Sequence, residues 1–481
     1  MTLHPSGVCM RIPALALAAA LLAPLTATIA NEAAFAPDAL KSAAYLRDLA
    51  NGGSAAYDIV ESLTTEVGPR LAGSAADARA VAWAKAKFQE LGFDRVWTEP
   101  VTFPQWRRGV ELAEVLAPYP QPLHITALGL SVGSNGPIEA EVVAFADLAA
   151  LSAAAPGSLN GKIAYIANRM IRTRDGKGYG PAVGARSRGA SEAAGKGALA
   201  LLIRSIGTDH DRMPHTGALQ YAEGDNAPLR IPAAALSNPD ADLLSNMIRR
   251  GQPVRLRLNI DVGVVGVATS YNVIGEITGS KYPEQVVIIG GHLDSWDLGT
   301  GAIDDGAGVA ITMAAGALIG DLKTPPERSV RVVAFANEEQ GLFGGKAYAE
   351  QHKAEISQHI IGAESDFGAG RIYALRAAVS EATRPQIAAI GEVLAPLGIA
   401  HDSEGGGPGP DIIAMAEHGM AWAQLAQDGS DYFDYHHTAN DTLDKIDPRA
   451  LDQQVAAYAV LAYLAAQADG GFGSTAKPEA P

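Results

Sequence analysis

Four short apolar runs mark the second half of the chain: Gln285 to Ile289, Val330 to Ala336, Gln358 to Ala363 and Ala421 to Leu425, with helical stretches between them. Runs of this length without polar alternation predict strands buried on both faces of a largely parallel α/β sheet. Near the start, Val81, Ala84, Phe88 and Leu91 fall at helical spacing within Ala76 to Leu91, and Gly92 stops that helix. Residues 40 to 122 accordingly read as helices followed by short strands. The Pro- and Gly-rich passage from Pro118 to Pro137 reads as a crossing into another unit. From Ile138 to about Val262 the texture changes. Short strands at Glu141 to Phe145, Lys162 to Ile166, Leu199 to Ile203, Ile231 to Leu236 and Val254 to Ile260 accompany a small-residue helix, Ser187 to Gly197. None of them carries a convergent set of histidines and carboxylates, so they read as an inserted binding or lid domain. The expected division is 1–30 leader, 31–125 first part of the main domain, 126–265 insertion, 266–475 second part and 476–481 tail.

A chain of 481 residues that is 48% hydrophobic is too long for one core, which fits that division. Only 19% of its residues are charged, so extensive disorder is not expected. A formal net charge of -16 argues against a nucleic-acid or anionic-membrane partner, either of which needs a basic surface. Arg11, the apolar run Ala14 to Leu22 and the small residues Thr26 to Ala30 form a secretory signal pattern with cleavage after Ala30. Met10 is an alternative start. The expected mature protein is exported, periplasmic or secreted, and has no membrane span, because the apolar run is too short for one. Cys9, the only cysteine, lies in the leader. Any metal site in the mature protein must therefore use imidazole and carboxylate.

That donor set occurs where the predicted strands end. The first run ends in Gly290-Gly-His-Leu-Asp294, with His292 and Asp294 two apart and so on one face of an extended segment. Asp294 is placed to orient the imidazole. Asp304-Asp305-Gly306-Ala-Gly308 opens the next helix, where a carboxylate can bridge two cations. The second run ends in Asn337-Glu338-Glu339. Adjacent residues point apart, so Glu339 is assigned as ligand and Glu338 as the general base that later protonates the leaving amine. The third run ends in Glu364-Ser-Asp366, and the fourth precedes Tyr432-Phe-Asp-Tyr-His436-His437. His292 and Asp366 would hold one ion, Glu339 and His437 the other, with Asp304 shared. This chemistry suits zinc, two Zn2+ per subunit, about 3.5 to 4 Å apart if they act jointly on a peptide carbonyl and a water. Manganese or cobalt would fit the same donors.

Other features carry less. Taken singly, each of these polar residues after a strand reads as an ordinary loop or capping residue, and only their joint occurrence argues for a metal site. His401-Asp402-Ser403 has triad residue types, but consecutive residues do not converge as a triad needs, and a loop is expected. Gly405 to Asp411 lacks the lysine of a phosphate loop and reads as a wall of the substrate pocket or a linker. His210 and His215 read as loop residues of the insertion, His352 and His359 as surface residues, and Arg107 and Arg108 as solvated charge more readily than as a carboxylate clamp.

With these residues in view, the chain resembles the zinc-dependent aminopeptidase family of co-catalytic exopeptidases. The likeness lies in Glu276-Ile-Thr-Gly-Ser-Lys-Tyr-Pro-Glu-Gln-Val-Val287, Gly291-His-Leu-Asp-Ser-Trp-Asp297, Gly301-Ala-Ile-Asp-Asp-Gly306, Glu338-Glu-Gln-Gly341, Glu364-Ser-Asp366, His436-His437 and Pro214-His-Thr-Gly217. It covers roughly residues 40 to 470. The resemblance implies a phosphorylase/hydrolase-like α/β sandwich, an inserted protease-associated domain, the same five ligand positions, Glu338 as base and a cis peptide at Asp304-Asp305. It also implies a homodimer that hydrolyses dipeptides or short peptides with a free amino terminus. Some relatives carry a tyrosine just before the last histidine to stabilise the oxyanion. Here that position is His436, leaving Tyr432, Tyr435 and His436 as alternatives. The pocket loop also differs, with Gly-Pro-Asp411 in place of Gly-Thr-Asp. Rival readings are a one-zinc acyltransferase of the glutaminyl cyclase type and a non-catalytic binding protein on the same scaffold.

Overall fold

The computed structural model describes residues 34–403 and 405–473. The leader assigned to residues 1–30 and the tail 476–481 lie outside the described residues. The strand Tyr282–His292 lies at the centre of the metal-ligand half of the molecule, flanked in parallel by Arg328–Phe335 and His359–Glu364. Val286, Val287, Ile288 and Ile289 are all buried, as an apolar run without alternation requires. Trp422–Gln427 continues the sheet next to His359–Glu364, followed by the antiparallel Ile372–Ala378 and the short edge strand Ala400–His401. The four predicted runs are therefore all strands, displaced at their ends by one to three residues.

On the other side the strand Arg255–Ile277 joins the two halves. Its last residues pair with Arg328–Phe335, and its first pair with Ile138–Phe145. From there the sheet runs on through Lys162–Ile166, Ala200–Arg204, Ala233–Leu236 and Ile125–Ala127, giving one 14-stranded mixed sheet. The expectation of short strands before residue 122 is corrected. Arg95–Ala117 is one 23-residue strand, antiparallel to Arg255–Ile277 along nearly its whole length. Pro100 and Pro104 are what disguised it: they have no N–H to give a ladder, and this strand tolerates them because it has a neighbour on one side only for most of its length.

Helices cover the sheet. Ala75–Glu90 starts where Ser74 accepts from the backbone N–H groups of Ala76 and Asp77. The helix predicted at Ser187 to Gly197 starts earlier, at Tyr179, and ends at Gly195. Pro448–Gln467 has Asp447 as N-cap and is buried along almost its whole length. Its buried amides are all used: Gln453 exchanges two hydrogen bonds with the Ile372 backbone, and Gln454 accepts from Gln427 and donates to the Gly370 carbonyl. Among the described residues one helical stretch, Ala302–Gly320, is apolar and long enough to cross a bilayer, but it is 89% buried in the fold and serves as core.

Candidate metal centre

The ligand candidates converge because each lies just beyond a parallel strand at the same edge of the sheet, the edge where such sheets bind ligands. His292 is the last residue of its strand, Asp304 lies in the turn before helix Ala307–Gly320, Asp366 is two residues beyond His359–Glu364, and Glu339 comes after Arg328–Phe335. The peptide between Asp304 and Asp305 is cis, as the resemblance implied. The two oxygens of Asp304 face different imidazoles: Oδ1 is 3.2 Å from His292 Nε2, and Oδ2 is 3.3 Å from His437 Nε2. Asp366 Oδ1 stands 3.6 Å from His292 Nε2, and Glu339 Oε2 stands 2.9 Å from His437 Nε2. Donor atoms of His292, Asp304 and Asp366 form one group within 4.8 Å, and those of Asp304, His436 and His437 a second.

Several donors here have nothing to satisfy them. Asp304 Oδ2, Glu339 Oε1 and Asp294 Oδ2 are buried without a hydrogen-bond partner, and so is His436 Nδ1. Native interiors leave few polar atoms in that condition, and a site built for cations is one that does. Asp304 belongs to both donor groups, and a donor set of imidazole and carboxylate fits zinc. Electrostatics agree. Burial, then the negative charge of Asp304, pushes Glu339 well above the usual carboxylate range. Glu338 is raised by burial as well, with Asp366, Asp411 and Asp294 adding to it and His292 opposing. Burial alone would lower His292, yet Asp294, Asp304 and Asp366 together hold it well above its ordinary value. His437 goes the other way, lowered by burial and by His436.

Around the donors a supporting layer fixes geometry. His292 Nδ1 lies 3.0 Å from the Asp294 carbonyl, while the Asp294 carboxylate accepts from the Glu338 backbone N–H at 2.9 Å. Asp294 thus touches both the imidazole expected to be a ligand and the residue expected to be the base. Asp305 accepts from the backbone of His292 and Gly308, and Asp441 accepts from Ala302 and Ile303 on the turn that carries Asp304. Burial pushes Asp441 up to about 7. Arg70, completely buried, donates to the carbonyls of Leu293, Thr300 and Gly301, so a positive charge stands beneath the acidic turn. Sequence reasoning missed Arg70, Asp305 and Asp441; only the adjacency of Asp305 to Asp304 offered a signal.

A cavity of about 280 Å3 opens over the donors, lined by Asp304, Glu338, Glu339, Asp366 and His437, with His436 and Tyr432 on its wall. Tyr435 lies elsewhere, in a depression with Arg172 and Lys445. His436 stacks on His437 with ring centroids 3.5 Å apart. Next to Asp366 a smaller recess of about 170 Å3 is lined by Glu364, Arg376 and Gln424 with Gly407, Gly409 and Pro410 of the Gly405 to Asp411 segment, which does not reach the cavity over the donors. Gly409, at φ 93°, is needed there: a Cβ would meet Glu364 Oε2 at 2.4 Å.

One of the lesser expectations gains detail and two are corrected. His215 is a loop residue but a buried one, bonded to Asp209 at 2.8 Å and to the His436 carbonyl at 2.7 Å. His359 is no surface residue: it is buried in its strand against the Tyr348 hydroxyl, and burial lowers it to about 4. Arg108 is not solvated charge, since it pairs with Glu111 and Asp297 and donates to Thr216.

Known proteins share this outline. The model of peptidase family M28 matches residues 272–462. Carboxypeptidase Q of Bos taurus is 36% identical over 439 residues, covering 91% of this chain and 91% of the relative. Among solved structures, a peptidase M28 precursor from Shewanella amazonensis is 53% identical with a TM-score of 0.88, covering 92% of this chain and 99% of that one. A zinc aminopeptidase from Bacillus subtilis, 19% identical, shares the fold with a TM-score of 0.62 over 87% of this chain and 97% of its own.

Proposed function

The chain belongs to peptidase family M28, and on that premise we propose that it is a zinc-dependent exopeptidase with two ions per subunit, removing the amino-terminal residue from dipeptides or short peptides. The observation that carries this reading is the placement of Asp304, one oxygen toward His292 and Asp366, the other toward His437 and Glu339, with Glu338 at the same cavity. Five donors, none of them sulfur, suit zinc. When bound, the two ions supply positive charge that polarises the scissile carbonyl and acidifies a water.

The protein's own residues do the rest. Glu338 lines the cavity, and its raised pKa suits a group that takes a proton from the attacking water and returns it to the leaving amine. Asp294 holds the Glu338 backbone and the His292 ring in one frame, so base and ligand cannot drift apart. Tyr432 and His436, both buried at the cavity wall, are the groups available to donate to a developing oxyanion. The leader implies export, and the family resemblance implies a homodimer with residues 126–265 as a protease-associated domain.

The test is a pair of measurements on purified, zinc-loaded protein: metal stoichiometry, and release of free amino acids from a dipeptide library. Two zinc ions per chain with amino-acid release support the reading. One ion per chain, or cyclisation of a glutamine-initiated peptide without amino-acid release, overturns it.

A further inference from the structure

Arg186 projects from the helix Tyr179–Gly195, within the segment expected to be an insertion, onto the wall of the metal-centre cavity. It is 8% exposed, and its contacts are with neutral groups. One terminal nitrogen donates to the Tyr179 hydroxyl, another lies 3.4 Å from His437 Nδ1, and Nε has no partner. Among the described residues no carboxylate forms an ion pair with it. Room has been made for this placement: Gly217, at φ 123°, lies so near that a Cβ there would stand 2.2 Å from Arg186 Nη1.

Burying a guanidinium without a counter-charge is expensive, and proteins seldom do it without a partner in view. Of the four acids on the same wall, Asp304, Glu339 and Asp366 are the groups assigned to cations and Glu338 is the one assigned to proton transfer, and none of the four forms an ion pair with it. A guanidinium that lines a peptide-sized cavity, with only neutral groups on its terminal nitrogens, matches one substrate group, a carboxylate.

We propose that Arg186 binds the carboxylate carried by the residue on the leaving side of the scissile bond, and so selects substrates that end one residue beyond the cleavage point. The proposal rests on the exopeptidase reading above and names what that reading leaves open. His437 Nδ1 has the Thr216 carbonyl at 3.3 Å to accept its proton, so Arg186 need not serve the histidine and its donors can turn to substrate.

The experiment compares kcat/KM for Leu-Ala, Leu-Ala-amide and Leu-Glu-amide on the zinc-loaded full-length protein and on Arg186→Met and Arg186→Lys. Wild type is expected to favour Leu-Ala over Leu-Ala-amide by about 100-fold, and Arg186→Met to reduce that ratio below about 3-fold, with Arg186→Lys between them. Recovery of the lost preference by Leu-Glu-amide would assign the contact to a side-chain carboxylate and overturn the selection for substrates that end one residue beyond the cleavage point. A wild-type ratio near one, or an undiminished ratio in Arg186→Met, overturns the proposal, and the wild-type ratio decides even if that variant does not fold. If neither Leu-Ala nor its amide is cleaved, the exopeptidase reading fails. Calorimetric binding of Leu-Ala against its amide to wild type then decides Arg186 separately: equal affinity for the two overturns the proposal.

Discussion

The two halves of the sheet are built alike and differ in the residues placed just beyond their strands. In the half centred on Tyr282–His292, parallel strands lead into His292, Glu339 and Asp366, charged or titratable groups aimed at one point. In the half that runs through Lys162–Ile166 and Ala200–Arg204, parallel strands lead into loops and a helix whose residues reach across to the first half. His215 holds the His436 carbonyl, Thr216 donates to the His437 carbonyl from its backbone, and Arg186 stands over the cavity. The lesson is a division of labour on a common frame. One half carries the candidate metal donors; the other holds the loop of the last of them and lines the cavity.

The comparison can be broken at its strongest point first. Asp304→Asn removes the shared carboxylate, and metal analysis should find both ions lost and peptide hydrolysis at background. Glu338→Gln should keep its metal yet lower kcat by about 1,000-fold, because proton transfer alone is removed. Near-normal turnover in that variant would take the base role away from Glu338. In the second half, His215→Ala frees the His436 carbonyl, and the expected loss in metal affinity or activity is about 10- to 100-fold, read by metal titration beside kcat/KM. A loss as deep as that of Glu338→Gln would contradict the division.

The smallest effect belongs to a buried histidine in the chemical half that lies in another part of that half. His359 is lowered by burial to about 4, below its unfolded value near 6.5. Above that unfolded value it is neutral in both states. As the pH falls from there toward 4, the unfolded chain takes up a proton that the folded chain refuses, so folding stability declines across this window. The group should cost up to about 3 kcal/mol at the acid end. Denaturant unfolding of His359→Gln should show a flatter decline between those pH values, with kcat/KM at neutral pH little changed.

Much of the candidate metal centre was legible because the positions that converge there are written locally. His292, Asp304, Glu339, Asp366 and His437 each come after an apolar run or open a helix, and parallel strands bring such positions to one edge whatever the intervening sequence. The long strand Arg95–Ala117 was not legible, since two prolines interrupt its pattern and only its edge position makes them harmless. The burial of His359 and His215 was hidden for a related reason: a lone polar residue looks the same in sequence whether it faces water or a partner 221 residues away, as His215 does at His436.

The sequence by itself determined the donor set, its order along the chain and the strands that present it, because side-chain chemistry and hydrophobic periodicity are local properties. Only the tertiary structure decided which carboxylate faces two histidines, that Arg70 lies beneath the acidic turn, and that Arg186 lines the cavity 251 residues from the His437 it touches. Those placements depend on burial and on distances across the sheet. Burial also gives an unpaired guanidinium or an orphaned carboxylate oxygen its energetic meaning.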